Sequence, residues 1–301
     1  MTHSVTYLPG VQLMELMACE EHNSTPAEQV ARIADTGFYR SIETSVLCQA
    51  PEAAEIAKLC QANGLYWTSW ASLYINGEHL NLSSLEPEAW KHAVARVSEL
   101  MDIAAQSGAN AFSILSGPRP QHPHQLPEAL ARAQEAMTIL AAKAGRYENF
   151  TLLIEPLDRD VHKHGAVGTA KEAAKLIRTA REQAENELVY MVWDSSHMAL
   201  QEKDLHRSLQ EAGDTVGHVH LCNAVLDPAS GLYGDYHLMP GAPGYLTDAS
   251  AVEILNDVKT LSLTRPVIPV AVEARPKHDG WAAEAETRAF LTRAAQASGL
   301  F

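Results

Sequence analysis

Four short stretches of strand character each run into a group able to bind a cation or carry a proton. TLLIE (151–155) ends in Glu155, and LVYMVWD (188–194) ends in Asp194. HVHLCN (218–223) carries His218 and His220, and PVIPVAVE (266–273) ends in Glu273. A strand stabilised by apolar burial gains nothing in packing by ending on a charge. Taken singly, an acidic residue at such a place is ordinarily a helix cap or a solvated loop residue, and a strand histidine a hydrogen-bonded core residue. Taken together the four read differently. Three carboxylates at close range repel and push up one another's pKa, and a divalent cation removes that conflict. Three carboxylates and one imidazole form a mainly hard-oxygen donor set. It suits one Mn²⁺ ion first, or Mg²⁺, with Co²⁺, Fe²⁺ or Zn²⁺ as alternatives. The chemistry open to such a site is proton abstraction next to a carbonyl, with an enediolate as intermediate.

The four groups must be brought to one place, and the order of elements says how. Eight apolar or β-branched runs (11–17, 38–44, 65–70, 111–115, 151–155, 188–194, 218–223 and 266–273) alternate with segments of helical period. STPAEQVARIADTG has a Ser24 or Thr25 cap, Pro26 at the first helical position and Gly37 at the end. APEAAEIAKLCQANG repeats the plan, with Pro51 early and Gly64 as terminator. Strand–helix repeated eight times predicts an α/β protein, a single (β/α)8 (TIM) barrel domain over residues 1–301. A doubly wound open sheet is the rival, but the segment after the first run, ACEEHNSTPAEQ, has no glycine for a phosphate loop. In a barrel the active site lies at the C-terminal strand ends. Glu43, ending the second strand, and Trp70, ending the third, are then expected to line the substrate. Trp67 and Trp193 share the option of walling a sugar face, with at least two of the three tryptophans expected in the core. The Gly- and Pro-rich segment 223–247 is predicted as a long functional loop after strand seven.

Bulk properties narrow the partners. The 301-residue chain has 23 basic and 37 acidic residues, a net charge of −14, which argues against a nucleic-acid or anionic-membrane surface. MTHSVTYLPG lacks the basic and apolar regions of a signal peptide, and no stretch approaches a membrane span. The four cysteines form no CxxC pair and read as buried thiols of a reducing compartment. A cytoplasmic protein acting on a small sugar is expected, with a homo-oligomer left open. Two histidine-rich loops, QHPHQ (His122, His124) and VHKHG (His162, His164), with Arg119, Arg159 and Lys163, either line the mouth as an anion site or are solvated.

IEPLDRD, WDSSH, HVHLCN, DYHLMPGAPG and AVEARP resemble the motifs of the xylose-isomerase-like (β/α)8 superfamily, in the same order along most of the chain. That group includes sugar-phosphate isomerases and epimerases, ketose 3-epimerases, inosose isomerases and dehydratases, and endonuclease-IV-type enzymes. The resemblance implies that Glu155, Asp194, His220 and Glu273 are the metal ligands, and that Glu155 and Glu273 are also the acid/base pair. It implies substrate contacts at His197, three residues after the aspartate, and at His237. Two features of the ketose epimerases are missing. DRDVHKHG has no second glutamate, and LCNAVLD has no arginine after the strand-seven histidine. Both belong to the sugar-binding part of the pattern, so a free ketohexose is not implied.

The reading is therefore a metal-dependent sugar isomerase or epimerase. Alternatives on the same site are a dehydratase or lyase of a keto-sugar or keto-inositol, a C-glycoside-cleaving subunit and a non-catalytic sugar-binding barrel. An endonuclease is disfavoured by the charge and by the absence of ligands in SWAS and ILSG, where strands three and four end.

Overall fold

The computed structural model describes residues 5–20 and 23–301. The strands are β1 (Thr6–Gln12), β2 (Ser41–Ser45), β3 (Tyr66–Trp70), β4 (Ala111–Leu115), β5 (Thr151–Glu155), β6 (Val189–Asp194), β7 (Val216–Val225), β8 (Gly234–Leu238) and β9 (Val267–Glu273). Their order is β6-β5-β4-β3-β2-β1-β9-β7, and β6 pairs again with β7, so eight parallel strands close into a barrel. Parallel strands covered on both faces need apolar residues at nearly every position, which is why TLLI and VYMVW are continuous rather than alternating runs.

Alternation still decides which way each residue points. On β5, Ile154 packs outward in the large core beneath the helices, whereas Leu153 packs inside the barrel with Trp70, Ala111, Tyr190 and Val192. Glu155 shares the parity of Leu153 and therefore faces inward. Asp194 follows Tyr190 and Val192 inward by the same count. The outer shell is built from Ile42, Trp67, Phe112, Ile154, Trp193 and Leu221 against helices such as Pro87–Gln106 and Ala170–Ala184. Helix starts carry their own instructions. Thr25 and Thr169 each close a capping box with Glu28 and Glu172.

Two expectations are corrected. The first strand is Thr6–Gln12, not 11–17: residues Leu13–Leu16 already turn into a short helix. The periodicity misled because LMEL is apolar enough to read as more strand. Segment 223–247 is not a plain loop either. β7 continues to Val225, and β8 returns antiparallel to it, pairing Asn223 with Leu238 and Val225 with Gly234. Among the described residues no helix is long and apolar enough to cross a membrane.

Candidate metal centre

Glu155, Asp194, His220 and Glu273 meet at the C-terminal mouth, with one ligand atom from each lying within 4.8 Å of all the others. His220 Nδ1 lies 2.8 Å from Glu273 Oε2, 3.6 Å from Glu155 Oε1 and 3.9 Å from Asp194 Oδ2. All four residues are buried, yet among the described residues Glu155 Oε1, Asp194 Oδ2 and His220 Nδ1 have no hydrogen-bond partner. A buried donor or acceptor left unpaired costs about 1–3 kcal/mol, and more if charged. Three of them aimed at one another in a hard-oxygen set fit a divalent cation, which would satisfy all three at once.

Below this cluster lies a second layer that fixes the imidazole. Glu43 is fully buried. It accepts from His218 Nε2 at 2.9 Å, from His220 Nε2 at 3.0 Å and from Trp70 Nε1 at 2.6 Å. A carboxylate holding the Nε2–H of His220 sets the tautomer and leaves Nδ1 as the lone pair facing the cluster. Burial pushes the Glu43 carboxyl up, but His218 and His220 outweigh it and hold it well below the usual range. Trp70 stacks on His220 with centroids 5.3 Å apart. Glu43 and Trp70, expected to line the substrate, both face the barrel axis and are buried; their contacts here run to His218, His220 and each other.

The carboxyls differ in their hold on protons. Burial raises Glu155 to about 7, with nearby Glu273 adding to the push and His220 opposing it. Asp194 also moves up, through burial first. Glu273 is held down at about 2, because His237 and His220 outweigh the burial that would raise it.

His237 sits beside the cluster. Its Nδ1 is 3.4 Å from Glu273 Oε1 and 3.1 Å from Glu15 Oε2. Its Nε2 is 2.8 Å from Asp235 Oδ2 and 3.2 Å from Lys163 Nζ. His197 is buried between Asp158, 3.2 Å from its Nδ1, and Asp235, 3.9 Å from its Nε2. Burial lowers the His197 pKa, but Asp194 and Asp235 win and lift it to about 9. Glu15, Asp158 and Asp235 escaped the sequence reading. Asp235 was findable, since Asp235-Tyr-His237 has the same two-residue spacing as His218 and His220. Glu15 was hidden inside the misplaced first strand.

His122 and His124 stack on each other and are exposed. Arg119 is paired with Asp160, and Arg159 with Glu172. Lys163 turns to the mouth, where Asp235 takes it at 3.1 Å, and His162 packs on Tyr236 of β8 with centroids 4.5 Å apart. Trp67 and Trp193 lie in the outer shell, bonded to Thr44 and Ser208. Of the four cysteines Cys60 and Cys222 are buried, while Cys48 is exposed and Cys19 half-buried.

Residues 30–291 match the family model described as xylose isomerase-like TIM barrel. No curated protein matches the chain in sequence. Among solved structures, a D-psicose 3-epimerase crystallised in the presence of D-fructose is 16% identical, with a TM-score of 0.71 over 98% of this chain and 100% of that one. An L-ribulose 3-epimerase is also 16% identical, with a TM-score of 0.72 over 98% of this chain and 96% of that one. The IOLI protein with a bound zinc atom is 15% identical, with a TM-score of 0.70 over 97% and 98%. At these identities the likeness is one of fold.

Proposed function

The chain belongs to the xylose isomerase-like TIM barrel family, and from that premise we propose that it is a divalent-metal-dependent sugar epimerase or isomerase. The observation that carries the proposal is the set of three unpaired, buried donor atoms, Glu155 Oε1, Asp194 Oδ2 and His220 Nδ1, with Glu273 completing the ring. The sugar 3-epimerases of like fold support the reaction class. Mn²⁺ is our first choice for this oxygen-rich set, with the zinc of the IOLI protein as the nearest competitor. Four cysteines without disulfides support a reducing compartment such as the cytoplasm.

Held by Glu155, Asp194, His220 and Glu273, the cation would supply Lewis-acid stabilisation of the negative charge that develops on the substrate. The chain does the rest. Glu155 and Glu273 come from β5 and β9, with β6 and β7 between them, so they approach a bound sugar from different sides. One takes the proton from the carbon next to the carbonyl, and the other returns a proton. Return to the same carbon inverts it, giving an epimerase. Return to the neighbouring carbon, with transfer of the hydroxyl proton, gives an aldose–ketose isomerase. Glu43 keeps His220 oriented throughout. His237 and His197, each braced by Asp235, hold the polar wall of the mouth where substrate hydroxyls arrive. Arg119 and Arg159 are already neutralised, which favours an unphosphorylated sugar.

The test is incubation of the Mn²⁺-loaded protein with a panel of keto-sugars and keto-inositols in D₂O. Solvent deuterium at one carbon of one substrate is expected. Absence of exchange across the panel, with metal bound, would refute the reaction.

A further inference from the structure

We propose that the mouth carries an apolar subsite beside the metal centre, and that the substrate is accordingly a sugar bearing an aryl or alkyl group, a glycoside with an apolar aglycone, rather than a free ketose. The inference rests on the epimerase or isomerase reading and sharpens its substrate.

A cavity of about 320 Å³ opens on the side of the mouth formed after β1, β2 and β3. Met14 and Met17 from the turn after β1, Leu47 after β2 and Leu73 after β3 form its walls, and its exposed lining is mostly apolar. A dry cavity of roughly 150 Å³ already holds benzene, so this one has room for a substituted ring or a short alkyl chain. Leu73 is 56% exposed, the highest value among the exposed large apolar side chains described. Such a leucine at an active-site rim gains by being covered.

The cavity adjoins the cluster through Glu15 and Arg275, although none of the four cluster residues lines it. Glu15 and Arg275, ion-paired to each other, form its inner rim. Glu15 Oε2 is 3.1 Å from His237 Nδ1, which in turn is 3.4 Å from Glu273 Oε1. Met14 packs against the cluster of Trp70, and Trp70 stacks on His220. A group in the cavity therefore lies beside a sugar seated on the four ligands. A neighbouring cavity of about 230 Å³, after β3, β4 and β5, sets Asn76, His79 and Lys163 among Leu80, Leu115 and Leu157. A free ketohexose has a hydroxyl on nearly every carbon and would lose hydration without compensation against methionine and leucine. An aglycone carries no such cost.

The test measures binding rather than turnover, on the full chain loaded with Mn²⁺. Calorimetric titration compares phenyl β-D-glucopyranoside with methyl β-D-glucopyranoside, neither of which has a carbonyl to react. The phenyl glycoside is expected to bind roughly tenfold tighter or more, from the apolar area of the ring alone. Leu73→Asp should abolish that preference, as should Leu47→Asn if the first variant folds poorly. Both should leave metal content unchanged. Equal affinities, no binding of the phenyl glycoside, or a preference untouched by both variants would overturn the subsite. Deuterium exchange on the same preparation reports separately on the reaction, so a lost reaction with the phenyl preference intact refutes only the parent reading.

Discussion

Replacing Glu43 by Gln probes the layer beneath the proposed ligands without touching them. The carboxylate accepts three hydrogen bonds, from His218, His220 and Trp70. A glutamine of the same shape has one acceptor oxygen and one NH₂. Whichever way it turns, the NH₂ must face a group that itself donates. Either a buried donor is left unpaired, at about 1–3 kcal/mol, or a histidine switches tautomer. A switch at His220 puts the proton on Nδ1, the atom aimed at Glu155, Asp194 and Glu273, and blocks it as a ligand. Loss of such a supporting contact ordinarily costs about 10–100-fold in metal affinity, equivalent to about 1.4–2.7 kcal/mol. Competition with a chromophoric chelator should show Mn²⁺ affinity falling by that factor in Glu43→Gln. At saturating metal, turnover should recover much of its loss, because the proposed ligands and acid/base pair are intact. Unchanged affinity with His220 still ligating would refute the claim that Glu43 sets the tautomer. A loss of turnover that metal cannot rescue would return Glu43 to the substrate.

Glu155→Gln and Glu273→Gln should behave in the opposite way. With metal at saturation each should still lose at least the roughly 10²–10⁴-fold typical of general acid–base catalysis, since an amide cannot accept the proton; near-full turnover in both would exclude them as proton carriers. His197→Ala and His237→Ala should mainly raise KM with metal content unchanged, as measured by elemental analysis and steady-state kinetics. Metal binding should be pH-dependent. Glu155 is raised from 4.5 to about 7, so the metal-free fold keeps a proton there that the unfolded chain has released. Metal-free stability should fall as pH rises from about 4.5 to 7, while Mn²⁺ affinity should climb over the same window as that proton becomes easier to displace. Calorimetry in buffers of different ionisation enthalpy would show protons released near pH 6 from Glu155 and from His220, which burial pushes down but Glu43 and Glu273 lift well above its usual value; release of one proton or fewer would mean that Glu155 is already ionised.

How much of this was legible in the sequence follows from which residues are fixed by local pattern. β4 and β5 run over the expected residues, because AFSIL and TLLIE are short apolar runs bounded by turn or helix signals. The four cluster residues were legible for the same reason. Each ends or lies on such a run, and inward parity follows from counting by two. The first strand was misplaced because nothing in GVQLMELM marks where extended backbone becomes helical. That error concealed Glu15. The hairpin return through β8 was unreadable as strand, since its GDYHL has only one aliphatic residue and takes its pairing from β7.

Glu43 and Trp70 show where sequence reasoning stops in principle. Position at a strand end says that a side chain faces the barrel axis, not how far below the mouth it ends. The sheet register supplies that missing depth. Glu43 pairs with Thr68, two residues before the end of β3, whereas Asp194 pairs with His220 at the last residue of β6. Glu43 is therefore set deeper, facing the far nitrogen of the same imidazole whose near nitrogen faces Asp194. A histidine has two nitrogens and can serve both levels at once. His220 does so, and that is how one buried carboxylate below the mouth orients an imidazole that three others face above it.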